Sequence, residues 1–247
     1  MIRSLYTAAT GMVTQRNAMD VVTNNLANVD TVGYKSDEMI SRSFADMMIT
    51  SINASNGNSM QAVGALSPGT HIDQIHTSFT QGPMDTTDES TDLAIEGEGF
   101  FVVSTPQGNR YTRAGNFSVN ADGKLVNSDG YFVLGTNGQI TVGGQDFKVD
   151  GQGNVTDVAG APAGTIQVVT FNNTDALTKQ GANLYAGGQP IPANATVNQG
   201  MLESSNVDIA REMSNLILVN RAFEANQRMV KMLDESLGKT VNEIADF

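Results

Sequence analysis

Apolar residues recur at intervals of seven near both ends of the chain. In the C-terminal part they are Ile209, Leu216, Phe223, Val230, Leu237 and Ile244. In the N-terminal part they are Leu5, Met12, Met19 and Leu26, with Ala8, Val22 and Val29 at a second position of the same repeat. An apolar repeat that stays in sevens is typical of helices that wind around a partner helix. The pattern predicts one helix over residues 1–28, another starting near Asn206 or Asp208, and pairing of the two as a coiled coil.

The residues four positions after those of the C-terminal repeat form its second, companion set. This set is partly polar and consists of Met213, Asn220, Gln227, Asp234 and Val241. A polar residue at such a position lowers stability but restricts the register and the number of partners. This assignment predicts a specific contact that involves more than one partner helix.

The middle of the chain has a different pattern, in which short apolar stretches alternate with Gly and Asx turns. These stretches predict strands at Phe100–Val103, Arg110–Thr112, Phe117–Val119, Leu125–Val126, Tyr131–Leu134, Ile140–Val142, Phe147–Val149 and Ile166–Phe171. Hairpin turns at this spacing favour antiparallel sheets, because parallel strands would need long helical connections between them. One short helical turn is expected at Asp175–Lys179. The expected fold class is therefore α+β, with terminal helices that pair as a coiled coil and a central antiparallel β-rich domain.

A connector is expected between the first helix and the β-rich domain. Ile40, Phe44, Met47, Met48 and Ile52 are spaced three or four apart, which predicts a short helix that Asp37 can cap. The Asn-, Ser- and Gly-rich residues 53–64 predict an exposed loop. The expected domains are a discontinuous coiled coil of residues 1–35 and 203–247, a connector of residues 36–80, and a β-rich domain of residues 81–202.

Charge and composition narrow the classes of partner. The formal net charge is −12, of which residues 36–202 carry −10 and the two ends little. An acidic surface without a basic cluster disfavours nucleic acid and anionic membranes as partners. The chain has no Cys, which excludes disulfides and thiolate chemistry. Neither a secretory signal sequence nor an apolar stretch of membrane-spanning length is found, so no membrane insertion is expected.

Three groups of residues were considered as sites for chemistry, and each has a simpler structural interpretation. His71 and His76 are five apart and poorly placed to share one metal ion. The oxygen-rich series Asp150, Gln152, Asn154 and Asp157 lacks the terminal Glu of a calcium loop and reads better as a hairpin turn. Glu96 and Glu98 have no second acid across a cleft and no Trp for a sugar to stack on. We therefore expect no catalytic, cofactor or metal site, no small-molecule substrate, and a protein that is not an enzyme.

Three segments carry a resemblance to a known family. They are Asn24-Asn25-Leu26-Ala27-Asn28-Val29-Asp30-Thr31-Val32-Gly33-Tyr34-Lys35, then Asp92-Leu93-Ala94-Ile95-Glu96-Gly97-Glu98-Gly99-Phe100-Phe101-Val102-Val103 with Tyr111-Thr112-Arg113-Ala114-Gly115-Asn116-Phe117, and Gly200-Met201-Leu202-Glu203-Ser204-Ser205-Asn206-Val207-Asp208. Together and in this order they resemble the rod and hook family of bacterial flagellar axial proteins. The residues of the first segment singled out as the family motif are Asn24, Asn25, Leu26, Ala27, Asn28, Gly33 and Tyr34.

The resemblance implies a structural subunit of the flagellar basal-body rod. Such subunits assemble into a helical tube that transmits torque and encloses the export channel, and they are exported without a cleaved signal peptide. The implied partners are copies of the chain and other rod and hook axial proteins. The ten residues of the two main sevenfold stripes, Leu5 to Leu26 and Ile209 to Ile244, are the expected subunit interface.

Alternatives follow from the same residues. A hook-type axial protein is one, although hook proteins carry large outer domains that 247 residues leave little room for. The opening residues 1–5 are most similar to distal rod subunits, whereas residues 36–80 depart from that pattern and leave proximal rod subunits as an alternative. A soluble binding module or lyase with a dimeric coiled coil is the rival from another class.

Overall fold

A computed structural model describes residues 2–52, 60–181 and 183–245 of the chain. The chain forms two compact units, each assembled from segments that are distant in sequence. The helical unit comprises residues 1–24, 37–76 and 210–247, and the β unit comprises residues 25–36 and 77–209. The chain therefore crosses between the units more than once.

Two long helices dominate the ends of the chain. Helix α1 spans Ile2–Ala27 and helix α2 spans Ile209–Ala245. The 37 residues of α2 correspond to a length of about 55 Å at 1.5 Å per residue. The helices predicted from the sevenfold repeats are confirmed, and α2 begins within a few residues of its predicted start.

Four strands lie between the helices in the helical unit, with bounds β1 Asp37–Ser43, β2 Met47–Ile52, β3 Met60–Leu66 and β4 Thr70–Thr77. Strand β1 pairs with β4, and β2 pairs antiparallel with β3. The segment between β3 and β4 lies on α1, where the Thr7 hydroxyl donates to Pro68 O at 3.1 Å and the Thr14 and Thr70 hydroxyls lie 3.2 Å apart. These contacts attach the β3–β4 connection to the first helix.

The predicted short helix starting at Asp37 is wrong, because this segment forms strands β1 and β2. Its apolar spacing fits a helix, but β1 pairs with β4 and β2 pairs with β3. Arg42 pairs with Asp73 at 3.0 Å, and the ring of Phe44 stacks on that of His71 at 4.8 Å. Local periodicity contains no information about such pairing. The predicted exposed loop over residues 53–64 falls partly outside the described residues, and its last part belongs to β3.

The β unit is built from short strands. Their bounds are β5 Met84–Thr86, β6 Leu93–Glu96, β7 Phe100–Thr105, β8 Gly108–Thr112, β9 Ser118–Val119, β10 Leu125–Val126, β11 Phe132–Gly135, β12 Gly138–Gln139, β13 Lys148–Val149, β14 Asn154–Thr156, β15 Pro162–Thr165, β16 Val168–Thr170, β17 Thr178–Gln180, β18 Leu184–Ala186, β19 Ile191–Pro192, β20 Thr196–Gln199 and β21 Met201–Glu203. The pairings between them are antiparallel. The expected antiparallel β-rich middle is thereby confirmed.

The largest sheet has the order β17-β18-β8-β7-β11-β10-β9, with β12, β16 and β19 attached to it. Separate small sheets are formed by β13-β14-β15, by β20 with β6, and by β21 with β5. Strand β21, which comes just before α2, is therefore paired with a strand more than a hundred residues earlier.

Strand β7 is buried on both faces. Phe101 and Val103 belong to one hydrophobic cluster, and Phe100 and Val102 belong to a second cluster on the other side. Successive side chains of a strand point to opposite faces, so a continuous apolar stretch is the expected sequence of a strand covered on both sides. This strand is the centre of the β unit.

Two local predictions need adjustment. Ile140–Val142 is not a strand, although Ile140 and Val142 are buried, and Thr141 forms only an isolated bridge with Lys124. The helical turn expected at Asp175–Lys179 is a 3-10 turn at Thr174–Ala176. Asn173 caps this turn by accepting from the Asp175 amide.

We expect that only glycine fits at position 115, where the backbone passes close to that of Leu93. A Cβ at Gly115 would overlap the carbonyl of Leu93, and the Leu93 amide donates to Gly115 O at 3.0 Å. We expect Gly115→Ala to lower the free energy of unfolding by about 2 kcal/mol or more, because the backbone must shift. Urea denaturation measures this change. Gly238→Ala in α2, where a Cβ meets open space, is the control and should not destabilise the protein.

Candidate assembly site

The family motif begins where α1 ends, and it forms a closed turn inside the β unit. Asn28 N donates to Asn25 O at 3.2 Å, and Thr31 N donates to Asn28 O at 3.1 Å. The Tyr34 hydroxyl donates to the buried Asn25 side chain at 3.1 Å, and the Thr31 hydroxyl donates to Asn28 Oδ1 at 3.3 Å. Two of the three asparagines of the motif therefore stabilise the turn itself.

Gly33 sits where a side chain cannot be accommodated. Its φ is +67°, and a Cβ would overlap the backbone of Arg113 and Ala114. Its amide donates to Glu203 O at 2.7 Å. The left-handed backbone and the close approach both require glycine here.

Tyr34 is fully buried, and a cation covers its ring. The Lys179 ammonium lies 3.8 Å from the ring centroid and donates to Lys35 O at 2.9 Å. A desolvated cation over an aromatic face is a favourable arrangement. The motif tyrosine is therefore held from both sides, by Asn25 at its hydroxyl and by Lys179 at its ring.

The centre of the site is a buried group of three charged side chains, Lys35, Arg113 and Glu203, which we call the ion cluster. The Glu203 carboxylate accepts from Lys35 Nζ through Oε1 and from Arg113 Nη1 at 3.1 Å through Oε2. All three side chains are buried. In sequence, Lys35 lies 168 residues from Glu203, and Arg113 lies 90 residues from Glu203.

Most other donors and acceptors of the cluster also find partners, whereas Arg113 Nε is buried without one among the described residues. Lys35 Nζ donates to Thr80 O at 2.7 Å, Arg113 Nη2 donates to Gly97 O at 2.8 Å, and Gly82 N donates to Glu203 Oε1 at 2.9 Å. Such bonds matter because a buried ion pair offsets its desolvation cost only when its other donors and acceptors are satisfied.

Two cations share one carboxylate, so the cluster has a formal charge of +1. Burial lowers the pKa of Lys35 below its ordinary value of 10.5, and the charge of Glu203 opposes that shift. Burial likewise lowers the pKa of Arg113, and Glu203 again acts in the opposite direction. Glu203 therefore favours the charged form of both side chains, against the effect of burial.

The side chain of Asn206 hydrogen-bonds to backbone groups next to the ion cluster. Its side chain accepts from Ser36 N at 2.8 Å and donates to Ser78 O at 2.9 Å. It also donates to Thr80 O at 3.2 Å, the carbonyl that accepts from Lys35. Residues 33–36 and 203–206, which we call the crossing segments, are thus bound to each other and to residues 78–82 within the β unit.

The sevenfold stripe of α1 is partly buried along its length. Leu5, Met12, Met19 and Leu26 are half-buried, Ala8 is buried, and Val22 is half-buried. Val29 lies beyond the end of the helix. In α2, Leu216, Phe223, Val230 and Leu237 are half-buried and Ile209 is exposed, whereas the side chain of Ile244 lies outside the described residues.

The companion positions of α2 differ from those expected. Met213, Asn220, Gln227, Asp234 and Val241 are all exposed. The half-buried companions are instead Glu212, Val219, Asn226 and Leu233, three residues after the stripe and not four. Asn226 lies next to α1, since a Cβ at Gly11 would be 3.0 Å from Asn226 Nδ2. Both spacings place a residue beside the stripe, so the sequence alone could not distinguish them.

The groups considered for chemistry take structural positions. His71 stacks on Phe44, and Glu96 Oε2 accepts from Asn198 at 3.1 Å. Asp150 accepts from the amides of Gln152 and Asn154 in the β13–β14 turn, as the hairpin interpretation predicts. Across the described ranges, no three His, Cys, Asp or Glu side chains are grouped to hold a metal ion.

Comparison with known families decides the classification. Three family models match in succession: Flagella basal body rod protein over residues 5–35, Flagellar hook protein FlgE/F/G D1 domain over residues 94–212, and Flagellar basal body rod FlgEFG protein C-terminal over residues 198–243. The flagellar basal-body rod protein FlgG of Bacillus subtilis (strain 168) is 38% identical, over 98% of this chain and 99% of that relative. The chain belongs to the flagellar basal-body rod protein family.

Other members of the rod family are also similar along their full length. The FlgG protein of Borreliella burgdorferi is 34% identical over 96% of this chain and 97% of that relative. The flagellar hook-basal body complex protein FlhO of Bacillus subtilis (strain 168) is 32% identical over 99% of both. No helix in the described part of this rod-family chain has the length and hydropathy needed to cross a bilayer.

The ion cluster connects all three family matches. The first match ends at Lys35, the second contains Arg113, and Glu203 lies where the second and third overlap. All three residues lie within the segments that resemble the rod and hook family, but their common role is not evident from the sequence. Each segment also contains other charged residues, such as Asp30, Glu96 and Asp208, so charge within one segment did not mark the cluster.

Removing the carboxylate should cost more than removing a cation. Glu203→Gln leaves two buried cations without a counter-charge, so we expect the free energy of unfolding to fall by about 3 to 5 kcal/mol. Lys35→Met keeps the Arg113–Glu203 pair, and Thr80 O retains its bond from Asn206, so we expect a loss of about 1 to 2 kcal/mol. Urea denaturation at pH 7 measures both. Equal losses would contradict the charge argument.

The pH dependence isolates Lys35. Because its folded pKa is lowered, the unfolded state binds more protons below pH 10.5, and stability rises with pH toward that value. Glu203→Gln removes the interaction that raises the Lys35 pKa, so this rise should begin at lower pH and be larger in total. Denaturation of Glu203→Gln and of the Lys35→Met/Glu203→Gln double variant between neutral pH and pH 10.5 tests this. Parallel curves for the two proteins would refute the assignment to Lys35.

Proposed function

We propose that the chain is a structural subunit of the bacterial flagellar basal-body rod and acts without catalysis. The observation that carries the proposal is similarity over the whole length, including both terminal helices, to relatives named as rod proteins. The same names favour a rod subunit over a hook protein and over a binding module or lyase. Assembly, not chemistry at a pocket, is therefore the proposed role.

The two terminal helices are proposed to pair within one subunit as a coiled coil. The half-buried stripes of α1 and α2 and the proximity of Gly11 to Asn226 support this pairing. Small residues such as Gly11 allow helices to approach closely, and the Asn226 amide beside it fixes the register. Because the stripe residues remain partly exposed, they are also proposed to contribute to contacts between subunits.

The surface for neighbouring subunits is proposed to be the exposed apolar side of each helix. On α2, Met213 is 52% exposed and Ile217 is 54% exposed, and the two are four residues apart. On α1, Tyr6 is 53% exposed and Val13 is 60% exposed, and they are seven apart. Large apolar side chains exposed in a row indicate a surface that another molecule covers.

Two different apolar surfaces suit a helical assembly. When one surface binds a different surface on the next copy, repetition produces an open filament and not a closed dimer. The α1 and α2 surfaces provide such a non-identical pair. The proposed partners are further copies and other axial proteins of the flagellum, at the basal body. The similarity of residues 1–5 to distal rod subunits supports a distal position.

Ile217 tests the proposed surface on α2. Ile217→Asp adds a charge that neighbours would have to bury, whereas the exposed position leaves the isolated subunit intact. We expect little of this variant in purified basal bodies and loss of motility in cells that lack the natural chain. Ile217→Leu is the matched control and should assemble normally. Normal recovery of Ile217→Asp in basal bodies would rule out this surface.

A further inference from the structure

The β unit contains an internal repeat of three strands. Strands β9, β10 and β11 at residues 118–119, 125–126 and 132–135 correspond to β13, β14 and β15 at residues 148–149, 154–156 and 162–165. A shift of thirty residues superimposes the bounds of the first and third strands. Each set is a consecutive antiparallel meander.

The turns of the two meanders share the same hydrogen bonds. In the first turn, Asn120 N donates to Lys124 O at 2.9 Å, and Asp150 N donates to Asn154 O at 3.1 Å at the corresponding place. In the second turn, Asn127 N donates to Tyr131 O and Asp157 N donates to Ala161 O, both at 2.9 Å. The second turns, 127–131 and 157–161, therefore have matching backbones.

Corresponding side chains enter the same core. Phe117 and Phe147 are both buried, as are Leu125 and Val155, and all four belong to one hydrophobic cluster. The two meanders are therefore similar in side-chain packing as well as in backbone hydrogen bonding. A difference between corresponding residues of the two meanders can be compared on the same backbone.

The third strands differ in what covers them. Strand β11 pairs with β7 on its far side, where Val133 faces Val103. Among the described strands, β15 forms a ladder only with β14, and at its C-terminal end Thr165 O accepts from Thr136 N at 2.9 Å and Ile166 bridges Gly135. Pro162 offers no amide on that edge, and a register shift between Val155 and Thr156 disturbs the pairing. These features disfavour addition of another strand.

The second turns differ in polarity. The first meander has Ser128 and Asp129 at its turn, whereas the second has Val158 and Ala159. Val158 is 60% exposed, and residues 158–162 are all exposed and uncharged. We call residues 158–162, Val-Ala-Gly-Ala-Pro, the apolar turn. One exposed Val is ordinary, but an uncharged run of five residues contrasts with the polar turn of the same backbone.

We propose that the apolar turn contacts the β unit of a neighbouring copy of this chain in the assembled rod, an inference that rests on the proposed function. Residues 36–202 carry a net charge of −10, so copies repel one another over most of this surface. An uncharged turn is where two acidic surfaces can approach. Because β15 is blocked against strand addition, the contact consists of side-chain packing.

The size of the turn determines when the contact forms. Five small residues bury far less than the roughly 800 Å² per partner of a stable interface. The contact therefore forms only where the terminal helices already hold copies close together, which raises the effective concentration. Isolated subunits should leave the turn open to solvent.

The absence of Cys provides a direct test. Val158→Cys and the matched control Ser128→Cys each introduce the only thiol of the chain, on corresponding turns. We expect maleimide to label both quickly in isolated subunits. In purified basal bodies, labelling of Val158→Cys should slow by about tenfold or more, the factor that corresponds to about 1.4 kcal/mol. Labelling of Ser128→Cys should not slow. Undiminished labelling of Val158→Cys, or equal protection of both thiols, would overturn the proposal.

A photo-crosslinker on Val158→Cys identifies the occupant. A product of twice the mass of the chain supports contact with a second copy, whereas a product with a different protein contradicts it. Val158→Ser/Ala159→Asp transplants the polar residues of the first turn onto the same backbone and should incorporate less well than Ser128→Ala. Equal incorporation would also overturn the proposal. Absence of the natural chain from basal bodies would instead refute the proposed function.

Discussion

The buried carboxylate of Glu203 is the interaction on which the β unit depends most. It pairs with both Lys35 and Arg113, and the backbone carbonyl of the same residue accepts from Gly33. Burying a lysine and an arginine without a counter-charge would carry a large desolvation cost. The arrangement is therefore complete only when three segments that are distant in sequence meet. We infer that the cluster contributes specificity to this meeting more than it contributes net stability.

That specificity matters because of where the cluster lies along the chain. Residues 33–36 follow the end of α1, and residues 203–206 come just before α2 begins. Gly33 and Asn206 bring these two crossing segments side by side in the β unit. The end of the family motif is explained on this view as a turn that holds residues 33–36 against residues 203–206.

Features that depend on local sequence were predictable. The sevenfold repeats identified α1 and α2, and Asx-Gly turns located several hairpins, because both signals act over a few residues. Strands β1 and β2 were not predicted because their partners, β4 and β3, lie elsewhere in the chain, and local apolar spacing carries no information about them. The companion stripe of α2 was misplaced by one residue because neighbouring positions on a helix face are equivalent in sequence. The ion cluster involves three residues far apart, and no single segment indicates it.

Native-state amide hydrogen exchange of the isolated full-length protein tests the central claim most directly. If the ion cluster folds together with the core, the amides of Gly33 and Gly82, which donate to Glu203, should be as protected as those of Phe101 and Val103 in β7. All four would then exchange only through global unfolding. Rapid exchange at Gly33 and Gly82 beside a protected β7 would show that the crossing segments open independently, and it would contradict this account.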